Sequence, residues 1–173
     1  MLKSNIASQP CFIGGRFQAG AYTVAKWSNF DLTPVLQFAN QNQGNFVISD
    51  KKIAVPKAGY YKISAFYSVV DANFPAGLKI IKHNTDGTYT YLAGELHVGG
   101  IYTFGYAQAL AHFSAGEQIS FAIYCDNEGT ITIRNDPSQM GGFSVEYLGG
   151  IRNPLKKIFC ISSLFKKGGY VKC

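Results

Sequence analysis

The sequence predicts an all-β fold, an antiparallel β-sandwich or jelly roll, on the basis of three observations. The chain has 173 residues, 47% hydrophobic and 15% charged, which is the composition of one globular domain with a sizeable core. Its 19 Gly, 13 Phe and 11 Tyr favour strands joined by tight turns over helices. Short segments of alternating polarity recur between turn residues, as is typical of a sandwich.

The alternation marks eleven segments in residues 16–150, which predict about nine or ten strands and no convincing helix. In chain order the segments are FQAGAYTVAKW, TPVLQFAN, NFVIS, KIAVP, GYYKISAFYSVV, GLKIIKHN, TYTYLAGELHV, IYTFGYAQALAHF, QISFAIYC, TITIRN and GGFSVEYLGG. Asp86-Gly87 predicts a hairpin turn. The segment DNEG, residues 126–129, offers oxygens that suit calcium, but a hairpin turn explains it without an ion.

The segment AVPKAGYYKISAFYSVV, residues 54–70, predicts a strand with bulky residues on both faces. One face carries Tyr61, Ile63, Ala65, Tyr67 and Val69, and the other carries Tyr60, Lys62, Ser64, Phe66 and Ser68. One face of a sandwich strand fills the core, whereas the other ordinarily meets water. Aromatic residues on the second face therefore indicate that this face is also covered.

The chain is predicted to have three segments: an N-terminal lead-in or stub at 1–15, the jelly roll at 16–150 and a tail at 151–173, which its basic charge separates from the body. The tail holds six of the 16 Lys and Arg residues and no acid, so the remaining ten basic residues balance the ten acids of the body. A neutral body argues against a nucleic-acid partner. We expect the apolar residues of the tail to dock on the jelly roll in preference to a membrane, with the paired lysines solvated.

The body resembles the trimeric jelly rolls of the complement C1q and tumour-necrosis-factor superfamily. The central signature of that family is an aromatic, a spaced apolar residue and then G-x-Y-x-F, and this chain has Phe46, Ile53, Gly59, Tyr61 and Ile63 at that spacing. The segments AHFSAGEQISFAI, with Glu117 in place of the family's Asp, and GGFSVEYLG resemble two further strands. The chain departs from the family pattern at three positions and has no collagen repeat upstream: Gln41, Ile63 and Ala65 replace the usual residues.

The resemblance, which spans Arg16 to Gly150, implies a homotrimer in which part of one sheet packs against neighbouring subunits. A strand with aromatic residues on both faces fits that assembly, because a monomer would expose a large apolar patch. The predicted interface residues are Tyr60, Phe66, Tyr102, Phe104 and Tyr106.

Catalytic and metal-binding patterns are absent from the sequence, so we expect neither an enzyme nor a cofactor. There is no G-x-S-x-G, H-E-x-x-H, phosphate loop or dinucleotide fingerprint. The three histidines, His83, His97 and His112, fall on different segments, and the four cysteines lack the close pairs of a zinc site. Cys125 is expected to be a buried thiol, and the pairing state of the cysteines stays open.

Recognition is then the predicted function, and the favoured form is the receptor-binding head of a bacteriophage tail fibre or baseplate, attached to a host cell-surface saccharide. The N-terminal MLKSNIASQP lacks the apolar run of a secretory signal, and no segment predicts a transmembrane helix, which suits a virion or extracellular protein. Aromatic and amide side chains near strand ends are the predicted ligand contacts: Trp27, Tyr89, Tyr91, Tyr102 and Asn135. The alternatives are a C1q/TNF-like ligand of a protein receptor and a purely structural trimerisation cap.

Overall fold

Two antiparallel sheets packed face to face account for nearly all regular structure in residues 11–72, 76–97, 100–134 and 141–150, which the computed structural model describes. The described residues form fourteen strands, numbered β1 to β14 in chain order, and one 3-10 turn at Ala39–Gln41. The all-β antiparallel sandwich is therefore confirmed.

The first sheet has eight strands. Its members are β1 (Phe12–Phe17), β2 (Gly20–Val24), β4 (Pro34–Val35), β5 (Asn42–Gln43), β8 (Gly59–Ala72), β11 (Gly100–Phe113), β13 (Gly129–Ile133) and β14 (Gly142–Gly149). The order β2-β13-β8-β14-β1-β4 runs across it, with β11 paired to β8 and β5 paired to β1. The long strand β8 thus has β11 along one edge and β13 and β14 along the other.

The second sheet has six strands. They are β3 (Ser28–Asp31), β6 (Val47–Ser49), β7 (Lys52–Ala54), β9 (Ala76–His83), β10 (Tyr89–His97) and β12 (Gln118–Cys125). The order is β10-β9-β12-β7-β6, and β3 pairs with β12 beyond the short β7.

The core lies between the two sheets and is rich in aromatic rings. Phe121 of the second sheet stands 5.3 Å from Phe17 and 5.5 Å from Phe143, both of the first sheet, measured between ring centroids. The inward face predicted for β8 is confirmed at Tyr61, Ile63, Ala65 and Tyr67, which are all buried. Ser68, predicted for the outer face, is also buried, at the point where the Arg134 amide donates to its carbonyl. Three further residues of the family signature, Phe46, Ile53 and Gly59, are also buried.

Of the two hairpin turns predicted from the sequence, the one at Asp86-Gly87 is confirmed and the one at DNEG is wrong. The predicted Asp86-Gly87 hairpin joins β9 to β10, with Gly87 at a φ of 85° and the Thr88 amide donating to Asp86 Oδ1 at 2.9 Å. The DNEG segment is not a hairpin turn, because β12 belongs to the second sheet and β13 to the first. The same four residues therefore carry the chain from one sheet to the other, which the alternation of polarity alone does not reveal.

The sandwich extends into the segment assigned from sequence to the lead-in. β1 begins at Phe12 and pairs with β14 from Phe12↔Glu146 to Arg16↔Gly142. Cys11 and Ile13 are buried in the core. The glycines at 14 and 15 hid this strand in the sequence, yet a Cβ at Gly15 would lie 2.4 Å from the Val35 carbonyl oxygen, so close strand packing requires glycine there. The basic tail, 151–173, lies outside the described residues.

Candidate functional site

Between Phe104 and Leu110, strand β11 turns its small residues inward and its large residues outward, whereas Phe113 at its end is large and buried. Gly105, Ala107 and Ala109 are buried against the core, whereas Phe104 and Tyr106 stand on the opposite face. A sheet in water ordinarily has the reverse arrangement, with large apolar residues in the core. This inversion leaves large apolar side chains exposed on the outer face of the first sheet.

The small inward residues of β11 leave room for the large inward rings of β8. Gly105 pairs with Tyr67, and a Cβ at position 105 would lie 1.9 Å from Tyr67 Cε1. Tyr67 is buried, and its hydroxyl donates to the Ala76 carbonyl at 3.1 Å, which fixes the ring across β11. Core volume is therefore supplied by β8, and the large side chains of β11 are free to face outward.

Four exposed residues on this outer face form what we term the apolar strip. They are Phe66 (48% exposed), Phe104 (54%), Tyr106 (52%) and Leu110 (62%). Phe66 pairs with Tyr106, and Phe104 lies two residues before Tyr106 on β11, so three of the four are neighbours. A polar pair, in which Gln108 Nε2 donates to Ser64 Oγ at 3.0 Å, separates Leu110 from the other three strip residues. Beyond Leu110, at the end of the strip, the Tyr60 and His112 rings meet edge to face at 5.2 Å.

Four of the five predicted interface residues share this face. Phe66, Phe104 and Tyr106 belong to the apolar strip, and the half-buried Tyr60 stands at its end. Tyr102 lies on β11, and its backbone pairs with that of Val70 on β8, but the Tyr102 side chain lies outside the described part of the chain. Sequence reasoning missed Leu110, although it is in phase with Phe104 and Tyr106 in the alternation of TFGYAQALAH.

A second candidate site, the aromatic–lysine cluster, lies on the outer face of the second sheet. It is defined by Trp27, Asn29, Lys79, Tyr91 and Tyr124. The Lys79 ammonium lies 4.0 Å from the Tyr124 ring centroid and 4.8 Å from that of Tyr91. It donates to Asn29 Oδ1 at 3.2 Å, and Asn29 Nδ2 donates in turn to the Tyr91 hydroxyl at 3.2 Å.

Strand order brings these distant residues together. Tyr124 on β12 pairs with Asn29 on β3, Lys79 lies on the adjacent β9, and Tyr91 lies on β10 beyond it. The register between β10 and β9 shifts between Tyr91 and Ala93, which makes Leu92 the extra residue of a bulge. Beside the bulge is a cavity of 180 Å³ lined by Lys79, Tyr91, Leu92, Ala93 and Gly94.

The predicted ligand contacts fall partly into this cluster. Trp27 is 65% exposed, and its ring centroid is 6.4 Å from that of Tyr124. Tyr89 meets Tyr91 edge to face at 5.5 Å, and its pKa is raised by hydrogen bonding to Tyr91. The Tyr102 side chain and all of Asn135 lie outside the described residues. Asn29, Lys79 and Tyr124 were missed, because only the pairing of β3, β12 and β9 places them together.

Three titratable groups outside the two candidate sites, His83, Cys125 and Cys11, are partly or fully buried. His83 Nε2 lies 2.8 Å from Ser120 Oγ, and burial lowers the histidine pKa. Burial raises the pKa of Cys125 to about 11, and both Cys125 and Cys11 are buried free thiols. Within the described ranges, no three His, Cys, Asp or Glu side chains lie close enough together to hold a metal ion. The same ranges contain no helix long and apolar enough to cross a membrane.

Comparison with known proteins gives a fold match without a sequence match. No protein-family model matches the chain, and no curated protein matches it. The structure of Eiger TNF from S. frugiperda is similar, with a TM-score of 0.62 at 13% identity over 83% of this chain and 97% of that one. The crystal structure of murine APRIL at pH 8.0 is also similar, with a TM-score of 0.60 at 16% identity over 80% and 98% of the two chains.

These likenesses identify the sandwich as a TNF-like jelly roll. They span nearly the whole of both similar chains, so the match covers the domain and not an isolated motif. At identities of 13% and 16% they establish the fold alone.

Proposed function

We propose that this protein is a non-catalytic, homotrimeric recognition module whose subunits meet through the apolar strip. The observation that carries the proposal is the inversion of β11, with Gly105 and Ala107 inside and Phe104 and Tyr106 outside. A TNF-like fold and the sequence resemblance to a trimeric superfamily support three copies over two. A non-catalytic role is consistent with the fold.

The energetic case rests on the four strip residues. Complete burial of one such side chain contributes about 1.5–3 kcal/mol, and each is near half exposed, so covering the strip contributes roughly 3–6 kcal/mol per subunit. A closed ring of three copies covers all strips and leaves none free to recruit further chains. The Tyr60–His112 ring pair at the end of the strip would form part of the rim of the contact, and the hydrogen-bonded Ser64–Gln108 pair would lie within the contact.

A protein receptor is the partner that the fold favours, since the module has the architecture of TNF-like ligands. Three identical subunits present three copies of each binding surface, and avidity then raises the overall affinity without new contacts. A purely structural trimer needs only the strip and would leave the outer face of the second sheet without a role.

A cell-surface saccharide is the second candidate ligand, and the aromatic–lysine cluster is the observation that favours it. Exposed rings beside amide and ammonium donors suit sugar rings with hydroxyl edges. Attachment as a bacteriophage tail or baseplate head stays a prediction from the sequence, because the similar structures are a TNF and APRIL.

The assembly and the partner are tested separately. Sedimentation velocity should show that Phe104→Ser shifts the protein from trimer towards monomer, while Val47→Ser, a matched exposed position on β6 of the other sheet, leaves the trimer intact. An equal response of both variants would remove the strip from the interface. A glycan array probed with the wild-type protein separates the ligands: silence favours a protein receptor, and release of any glycan fragment would contradict a non-catalytic module.

A further inference from the structure

The geometry points to a carbohydrate subsite at the β10 bulge that takes one sugar ring carrying a carboxylate, with the ring on Tyr91 and the carboxylate at Lys79. This inference deepens the saccharide candidate above. It does not depend on the trimer, because every residue of the subsite comes from one subunit.

The hydrogen-bonding inventory of the cluster favours an anion. An ammonium has three N–H donors, and Lys79 uses one of them on Asn29 Oδ1. The Asn29 amide has two N–H donors and uses one on the Tyr91 hydroxyl. The capacity left over is mainly donor capacity around a positive charge, which matches the acceptor oxygens of a carboxylate.

Lys79 is held in place for such a contact. Its ammonium lies between the Tyr91 and Tyr124 rings, and cation–π attraction to both reduces the freedom that a ligand would otherwise have to remove. Lys79 makes no ion pair within the described residues, whereas Lys82 on the same strand pairs with Glu117 at 2.8 Å. Asp31, on the same face, pairs in register with Ala122, and Ala122 pairs in turn with Lys79, so one strand separates the carboxylate from the ammonium.

The floor and the size of the cavity favour a single ring. Ala122 and Ile81 lie beneath the cluster and are buried although they are not part of the main core, so the outer side chains already shield this face from water. The cavity of 180 Å³ is smaller than the roughly 300–1,000 Å³ pockets that take drug-sized ligands. The exposed Tyr91 ring offers an apolar surface for the C–H face of a pyranose.

Isothermal titration calorimetry with trigalacturonic acid and its fully methyl-esterified form tests the subsite, since the two probes have the same rings and differ in charge. The wild-type protein should bind the acid at least tenfold more tightly than the ester. Lys79→Met should weaken binding of the acid at least tenfold, whereas Lys62→Met, an exposed lysine on the first sheet, should leave it unchanged. The comparison of acid with ester requires no variant and decides the question even if Lys79→Met fails to fold.

Three results would overturn the subsite: equal binding of acid and ester, equal effects of the two lysine variants, or no binding of the acid at millimolar concentration. Equally tight binding of triglutamate would also overturn it, in favour of an acidic peptide. Sedimentation of the same samples shows whether the protein is trimeric, so a failure of the subsite can be distinguished from a failure of the trimer. Binding of the acid by monomeric protein would support the subsite and contradict only the assembly.

Discussion

Gly105 of β11 and Tyr67 of β8 lie in register, and the tyrosine ring occupies the space where any other residue at 105 would place its Cβ. This one contact links the core to the surface. Because the Tyr67 ring fills the interior at this level, β11 has small inward residues from Gly105 to Ala109, and its Phe104 and Tyr106 side chains face outward. The packing inside one subunit thus leaves these large side chains on the face where we propose that subunits meet.

The contact predicts that Gly105→Ala is destabilising. A methyl group 1.9 Å from Tyr67 Cε1 must displace a ring whose hydroxyl is bonded to Ala76, and overpacking of this kind costs about 1–3 kcal/mol. Gly94→Ala on β10 is the control, because its Cβ would meet Lys79 Cγ at an ordinary 3.5 Å. Urea denaturation of both variants measures the difference, and equal stabilities would show that the ring moves aside freely.

Stability should fall with alkaline pH because of Tyr61. Burial raises the pKa of Tyr61 to about 12, although its hydroxyl donates to the Lys57 carbonyl at 2.7 Å. The unfolded chain has a tyrosine pKa near 10.0, so it releases the proton first. The contribution of protonated Tyr61 to the free energy of unfolding is complete below pH 10 and is lost as the pH rises to 12. It amounts to roughly 3 kcal/mol.

Tyr61→Phe isolates this effect from that of the other tyrosines. The variant should be less stable at neutral pH by about 1 kcal/mol, the net contribution of one hydrogen bond. Its free energy of unfolding should decline less steeply than that of the wild type between pH 10 and pH 12. Parallel declines would show that Tyr61 is not the group responsible.

The ion pair between Lys82 and Glu117 predicts that removal of the lysine alone destabilises the protein more than removal of both charges. Glu117 is 8% exposed, accepts from the Ser114 amide at 2.6 Å and pairs with Lys82 at 2.8 Å. Lys82→Met leaves that carboxylate without its cation. Removal of one partner of a fully buried pair costs about 3–5 kcal/mol, and the lower end of this range applies here because the Lys82 side chain is 18% exposed. The double variant Lys82→Met/Glu117→Gln should recover part of the loss in thermal unfolding, and a purely additive double variant would contradict the pairing.

The sequence predicted the sheet faces better than the connections between strands. Alternation in GYYKISAFY and TFGYAQALAH separated inward from outward residues, because period-two burial is a local property of a strand, but it placed Ser68, which is buried, on the outer face. It did not show that DNEG crosses between sheets or that glycines 14 and 15 lie within β1, since both depend on which distant strand is the neighbour. The sequence predicted only part of the aromatic–lysine cluster for the same reason, because the order of the strands in the sheet is what brings Asn29 to Lys79.

Static light scattering of the wild-type protein at micromolar concentration tests the central claim most directly. The account predicts one species with three times the subunit mass of 18.9 kDa, because the apolar strip is covered only when subunits meet. A stable species of 18.9 kDa at that concentration would show that the strip is left in water, and the account of this molecule as a trimeric module would be wrong.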